Sequence, residues 1–217
     1  MNKLSFSPHV FSHEEWLYTK NAVPGVTVYT EKLLETEDGE YRSWNPHKSK
    51  LSAGIFNGLQ TFPFTPISHV LYLGAASGTT ASHLSDICSQ GLVYCVEFSP
   101  RTARDLLFTC ESRKNMIPIL ADASQPHTYS DLITAVDVIY QDIAQPQQSE
   151  ILEHNCLYLK DGGYAYICIK SRSIDVTAEP KTIFKKEIKK IKKFLTITER
   201  IPLEPYEKDH LMIVGKK

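Results

Sequence analysis

The sequence predicts an α/β fold: a Rossmann-like, seven-stranded, mostly parallel sheet with its last strand antiparallel, preceded by a small antiparallel β unit. Three observations predict it. From residue 68 onward, short apolar runs alternate with amphipathic helical stretches, the pattern of a parallel sheet with crossover helices. The two final apolar runs, about 196–203 and 210–215, are joined too tightly for a crossover and so must be antiparallel neighbours. The first 55 residues instead pair β-rich runs around turn signals. The expected division is a β domain over 1–55 and an α/β domain over 56–217.

In order along the chain, Phe11, Trp16 and Tyr18 predict a first strand pair. Val26-Thr-Val-Tyr29 and Glu40-Tyr-Arg-Ser-Trp44 flank the acidic turn Glu37-Asp38-Gly39 and predict a hairpin. Asn45-Pro46 ends this unit, and Ser49 caps a helix with Leu51, Ile55 and Leu59 on one face. Val70 to Leu73 reads as a buried strand and Val93-Tyr-Cys-Val-Glu97 as the next. Ser99-Pro100 opens a helix in cap-then-proline order. A third strand, 117–121, leads to Asp122, and a short helix precedes the fourth, Val136-Asp-Val-Ile-Tyr-Gln-Asp142. Residues 147–159 read as a helix stopped by Asp161-Gly-Gly163, 164–170 as the fifth strand, and 180–193 as the last long helix.

The stretch Val70-Leu-Tyr-Leu-Gly74-Ala-Ala-Ser77-Gly78-Thr79-Thr80 organises the rest. A strand, a glycine turn and a helix start make a nucleotide-sized crevice at the carboxyl end of a parallel sheet. Gly74 permits close approach, and the helix start at Thr79 and Thr80 offers free N–H donors. A dinucleotide fingerprint wants glycine at 74, 76 and 79, whereas this chain has Gly74, Ala76 and Thr79. The Lys-Ser/Thr pair of a phosphate loop is missing. The turn therefore fits a ligand with an adenosine half and no phosphates, of which S-adenosylmethionine is the commonest. Glu97, 19 residues beyond Gly78, stands where a carboxylate would accept both ribose hydroxyls. In such a sheet Gly74, Glu97, Asp122, Asp142 and Lys170, each at a strand end, project into one crevice. Asp142 and Lys170 on adjacent strands would order a hydroxyl and drain its proton. The residues alone leave Lys50 readable as a solvated charge at a helix start and His210 as a structural histidine.

Composition narrows the partners. The formal net charge is −1, whereas a protein that holds nucleic acid unaided carries a basic surplus. The lysines at 181, 185, 186, 189, 190, 192 and 193 form a basic strip on the last helix, readable as a solvated face or as a phosphate contact. Five scattered cysteines with no CxxC pair, no apolar leader and no membrane-length stretch give a cytoplasmic expectation. No His/Cys cluster has metal-ligand spacing.

Six phrases carry a resemblance: Tyr41-Arg-Ser-Trp-Asn-Pro-His-Lys-Ser-Lys-Leu51, the Val70 to Thr80 stretch, Val96-Glu-Phe-Ser-Pro100, Asp142-Ile-Ala-Gln-Pro146, Ile169-Lys-Ser-Arg-Ser-Ile-Asp175 and Leu203-Glu-Pro-Tyr-Glu-Lys-Asp-His210. From about residue 19 to 217 the chain resembles the fibrillarin family, box C/D guide-RNA-directed ribose 2′-O-methyltransferases of class I methyltransferase fold. It is most similar to the archaeal form, which lacks a glycine/arginine-rich extension. The resemblance implies S-adenosylmethionine held by Gly74, Thr79, Thr80, Glu97, Phe98, Asp122, Ala123, Asp142, Ile143, Ala144 and Gln145. It implies a catalytic set of Lys50, Asp142, Lys170 and His210, raising the two residues left open above. The implied partners are guide RNA, target RNA, a Nop-type scaffold protein and a kink-turn-binding protein.

The expected reaction is methyl transfer to a ribose in rRNA, and by the family in tRNA, without a metal. Rival readings are a metal-dependent small-molecule O-methyltransferase, a non-catalytic cofactor-binding scaffold of the same particle, and a protein glutamine methyltransferase. The charge balance generates a first test. Fluorescence anisotropy at physiological salt should show no capture of guide RNA by the isolated chain, and tight binding by the chain alone would refute this reading of its charge.

Overall fold

The computed structural model describes all residues, 1–217. Strands β1 (Asn2–Leu4), β2 (Ser7–His13), β3 (Trp16–Lys20), β4 (Leu33–Thr36) and β5 (Gly39–Trp44) form an antiparallel sheet in the order β1-β2-β3-β5-β4. The helix α1 (Lys50–Phe56) then leads to β6 (His69–Leu73), α2 (Thr79–Ile87), β7 (Leu92–Glu97), α3 (Pro100–Glu111) and β8 (Met116–Leu120). A 3₁₀ segment over Pro126–Leu132 precedes β9 (Val136–Gln141), α4 (Gln148–Asn155), β10 (Leu159–Lys170), α5 (Ser171–Ile174), α6 (Pro180–Ile191), β11 (Thr196–Pro202) and β12 (His210–Lys216).

The second sheet has the order β11-β12-β10-β9-β6-β7-β8. Strands β6 to β10 are mutually parallel, and β12 runs antiparallel to both β10 and β11, as the short final connection required. Chain order reverses direction between β6 and β9, the switch point at which doubly wound sheets open a crevice. The residues that follow those two strands are Gly74 and Asp142.

Two expectations are corrected. Val26 to Tyr29 is not a strand; the hairpin partner of β5 is β4, closed at Thr36 opposite Gly39. The preceding segment is held instead by carboxylates. Glu31 accepts the N–H groups of Val28 and Tyr29, and Glu40 accepts that of Gly25. Helix α4 stops at Asn155 rather than 159, because β10 begins at Leu159, paired with Val136, and the Asp161-Gly-Gly163 segment is an irregularity within that strand. Helix α5, directly after Lys170, had no counterpart in the sequence reading.

The first sheet packs over α2. Eight of that helix's nine residues, Thr80 to Ile87, are buried, so its polar side is as dry as its apolar side. At this interface Asp86 accepts hydrogen bonds from Arg42 Nε (2.9 Å), Arg113 (2.6 Å), the Thr19 hydroxyl (2.7 Å) and the Ala22 N–H (3.0 Å). Arg42 also bonds Glu31 and Ser82. Trp44 stacks on His83 with ring centroids 4.8 Å apart. Burial and the two arginines push the His83 imidazole well below its usual pKa, so the ring is neutral. With Thr19 donating to Asp86, His83 Nδ1–H donates to Thr19 Oγ1 (2.7 Å), and its Nε2 lies 2.7 Å from the Tyr29 hydroxyl.

Removing one member of a buried ion cluster strands the remaining charges. Asp86→Ala, leaving Arg42 and Arg113 without their shared carboxylate, should lower unfolding stability by about 3–5 kcal/mol in urea titration. A loss under about 1 kcal/mol would show that this interface carries little of the fold.

Candidate active site

Beyond β6 the chain turns at Gly74, whose φ is +80°, a conformation costly for residues with a Cβ. An added Cβ there would stand 2.8 Å from the Asp142 carbonyl and 2.9 Å from the Ile143 side chain. The bare Cα thus lets the segment after β9 close against the turn. Gly78, at φ 92°, is the cap residue of α2.

A cavity of about 360 Å³ opens at this point, within the size range of small-molecule sites. Its wall includes Gly74, Glu97, Phe98, Ala123, Asp142, Ile143, Ala144, Gln145 and Lys170, nine residues that sequence reasoning assigned to the site. The Glu97 carboxylate is fixed by N–H donors on both oxygens, Ala76 to Oε2 and Ser99 to Oε1, each 2.9 Å. Phe98 is 65% exposed at the rim. An anchored acid, a largely exposed aromatic ring and a glycine-lined turn are chemically compatible with an adenosyl group.

Three cofactor assignments fall outside that wall. Thr80 is buried, and its hydroxyl donates to Ser49 Oγ at 2.9 Å; Thr79 beside it begins α2 and does not line the cavity. Asp122 lies between the lining residues Ala121 and Ala123, where Ser124 N–H (2.8 Å) and Gln145 Nε2 (3.4 Å) donate to Oδ1. Burial raises its pKa, but these hydrogen bonds outweigh it and hold the carboxyl below the usual range.

Lys50, Asp142 and Lys170 come together at the inner end. Lys50 Nζ lies 3.1 Å from Asp142 Oδ2 and Lys170 Nζ 2.8 Å from Oδ1, with side-chain exposures of 15%, 15% and 18% for Lys50, Asp142 and Lys170. Lys170 Nζ makes its aligned hydrogen bond to the Asp142 carbonyl at 3.1 Å, so Oδ1 is ion-paired yet has no well-directed donor. Burial raises the Asp142 pKa, and Lys170 with Lys50 outweighs that, leaving it below the usual carboxylate value. Burial alone would lower the Lys50 pKa, but Asp142, with Cys168 and Glu207, raises it above the usual lysine value.

His210 faces Lys170 across the β10–β12 ladder, and its ring donates from Nδ1 to the Lys208 carbonyl at 2.6 Å. It also borders a groove with Lys181 and Phe184 of α6. Glu207, which sequence reasoning passed over as part of a polar turn, lies 3.7 Å from Lys50 Nζ. Its only sequence signal was an acid three residues before His210. No group of three or more His, Cys, Asp or Glu side chains is arranged to hold a metal.

A switch-point crevice with an anchored acid beside a glycine turn defines the class: an S-adenosylmethionine-type methyltransferase fold. The family model for fibrillarin matches residues 6–217, reaching further toward the N-terminus than the quoted phrases. The chain belongs to the fibrillarin family. It is 54% identical over 205 residues to a fibrillarin-like rRNA/tRNA 2′-O-methyltransferase of Pyrococcus furiosus, spanning 94% of this chain and 90% of that protein. Aeropyrum pernix fibrillarin, solved with natively bound S-adenosyl-L-methionine, superposes with a TM-score of 0.86 at 43% identity, covering 95% of this chain and 97% of that one. The fibrillarin of a fibrillarin/Nop5p complex gives a TM-score of 0.88 at 42% identity, covering 95% and 96%.

Glu97 generates the test of the cavity. Glu97→Ala should weaken S-adenosylmethionine binding by about 1–3 kcal/mol in isothermal calorimetry, the cost of losing a charged hydrogen-bond acceptor. Unchanged affinity would remove Glu97 from the ligand's path.

Proposed function

We propose that this chain methylates the ribose 2′-hydroxyl of guide-selected nucleotides in rRNA and tRNA, as the catalytic subunit of a box C/D ribonucleoprotein. The observation that carries the reading is Asp142 held between Lys50 and Lys170 at a cavity that Glu97 and Phe98 also line. The relatives' printed activity and the cofactor bound by the Aeropyrum pernix protein support it. Glu97, Phe98, Asp122 and Gln145 would hold S-adenosylmethionine. When bound, that cofactor supplies a methyl group on a sulfonium, already a good leaving group.

The chain's residues have two tasks, positioning the hydroxyl and taking its proton. Asp142, kept ionised by two lysines, accepts the hydroxyl's hydrogen bond and aims the oxygen. The same pairing makes it a weak base. Lys170 is the proposed proton acceptor: its ammonium first gives up a proton to solvent, and the amine then takes the hydroxyl's proton as the oxygen forms its bond to carbon. Lys50 stays cationic and stabilises negative charge developing on that oxygen. His210, with Nδ1 held by the Lys208 carbonyl, would offer Nε2 to the set.

A scaffold that merely bound the cofactor would have no use for three charged side chains held 15–18% exposed, since such burial costs free energy that ordinary packing does not. A metal-dependent mechanism is disfavoured because Lys170 occupies the place of a cation. The Nop5p complex of a similar fibrillarin supports a Nop-type scaffold partner. Guide RNA, target RNA and a kink-turn-binding protein complete the proposed particle. No helix is long and apolar enough to cross a membrane, and all five cysteines are unpaired, which supports a cytoplasmic setting.

Lys170→Met should leave cofactor affinity near that of the unsubstituted protein. It should slow methyl transfer at least ~100-fold in single-turnover assays of the reconstituted particle, the usual size of a lost acid–base group. Full activity would sink this assignment of Lys170.

A further inference from the structure

Lys170 is the last residue of β10, and there the sheet supports it on one side only. The pairing of β9 with β10 ends at Ile167 opposite Gln141, three residues earlier. On the other side β12 continues, with Lys170 opposite His210. The next amide, that of Ser171, donates to the Asp209 carbonyl on that side at 3.3 Å. Because successive residues of a strand alternate, the N–H and C=O of Lys170 point to the side that β9 has left.

Gln148, the first residue of α4, fills that place. Its Oε1 accepts the Lys170 N–H at 2.9 Å, and its Nε2 donates to the Lys170 carbonyl at 3.3 Å. A carboxamide offers the same donor and acceptor as a peptide group, so one side chain substitutes for the missing strand residue. Gln148 has no solvent exposure, and its own carbonyl accepts from Gln141 Nε2 at 2.7 Å. The last residue of β9 thus fixes Gln148, and Gln148 fixes the last residue of β10. Gln148 does not line the cavity.

The geometry points to Gln148 as a positioning residue for the methyl-transfer reaction: its carboxamide clamps the main chain of Lys170 and thereby sets the reach of the amine to Asp142. The inference rests on the methyl-transfer reading above. Lys170 Nζ lies 2.8 Å from Asp142 Oδ1, a contact that a main-chain shift of about 1 Å would open, and misplacements of that size cost up to ~100-fold in rate.

The test uses the particle reconstituted with guide RNA and both protein partners, with Gln148→Leu and Gln148→Glu compared to the unsubstituted protein. Gln148→Leu should lower the single-turnover rate constant by ~10–100-fold, while the amplitude, cofactor affinity and half-saturating target RNA stay unchanged. A merely structural loss would instead cut the amplitude, the fraction of competent enzyme, and leave the rate constant alone. Hydrogen exchange supplies a readout independent of activity. The Lys170 amide should lose protection in Gln148→Leu, while β10 amides bonded to β12 keep theirs.

A rate constant equal to the unsubstituted protein's, a loss of amplitude alone, or an unchanged Lys170 amide would each overturn the inference. Should Gln148→Leu not fold, Gln148→Glu decides: it keeps an acceptor for the N–H and, when ionised, lacks the donor for the carbonyl. A reduced rate constant with full amplitude then supports the clamp, and an unreduced one removes it. If the unsubstituted particle fails to methylate, the functional reading falls, and amide exchange alone still decides whether Gln148 anchors Lys170.

Discussion

Asp86 has a fully buried side chain between Arg42 and Arg113, and the way it is neutralised determines where Lys50 stands. A carboxylate removed from water costs several kcal/mol unless its lone pairs are met. Helix α2 cannot meet them by itself. Arg113, from beyond α3, supplies one guanidinium, and the first sheet supplies the other donors: Arg42 from β5, the Thr19 hydroxyl from β3 and the Ala22 N–H. Docking of the first sheet on α2 is therefore close to all-or-none. Its consequence is carried along the chain, because β5 ends at Trp44 and α1 begins at Lys50. Trp44 stacks on His83 of α2, and Ser49 accepts the Thr80 hydroxyl of the same helix. Lys50 follows at the first position of α1, delivered to Asp142 by a segment pinned at both ends. A residue of the proposed reaction centre is thus placed by an ion cluster to which it does not belong.

How far the sequence was legible follows from the same physics. Strand ends could be read because period and punctuation are local. Gly74, Glu97, Asp142 and Lys170 sit where apolar runs stop, and a parallel sheet sends such ends to one side. The polar side of α2 could not be read. Ser82, His83 and Asp86 look like a solvated face, and all three are buried under the first sheet. Val26 to Tyr29 has strand composition, yet the Glu31 carboxylate takes two of its N–H groups, a side-chain claim that periodicity does not register. His210 could be read as opening the last strand, and only family resemblance gave it a catalytic role; the hydrogen bond of its Nδ1 to a carbonyl two residues away in a turn is not visible in the sequence. Gln148 read only as part of a helix start; its bond to a strand end 22 residues later is a property of the closed fold.

Charge balance at the reaction centre explains a division of labour within the proposed particle. Lys50 and Lys170 face Asp142 and, at 3.7 Å from Lys50, Glu207, so the cluster is formally neutral. Around it the crevice adds Glu97 and Asp122, giving the cofactor side an acidic surplus. A cationic sulfonium is favoured there, whereas a phosphodiester brought close would meet carboxylates at short range. The basic strip on α6 lies apart from this wall, and one of its lysines is committed: Lys190 pairs with Glu150 (2.9 Å) and Glu187 (2.8 Å). The electrostatics that hold the cofactor therefore work against holding RNA at the same place. A ribose hydroxyl can enter such a site only if the backbone around it is gripped elsewhere. With a net charge of −1 on the whole chain, the reading proposed above would assign that grip to the guide RNA and its proteins.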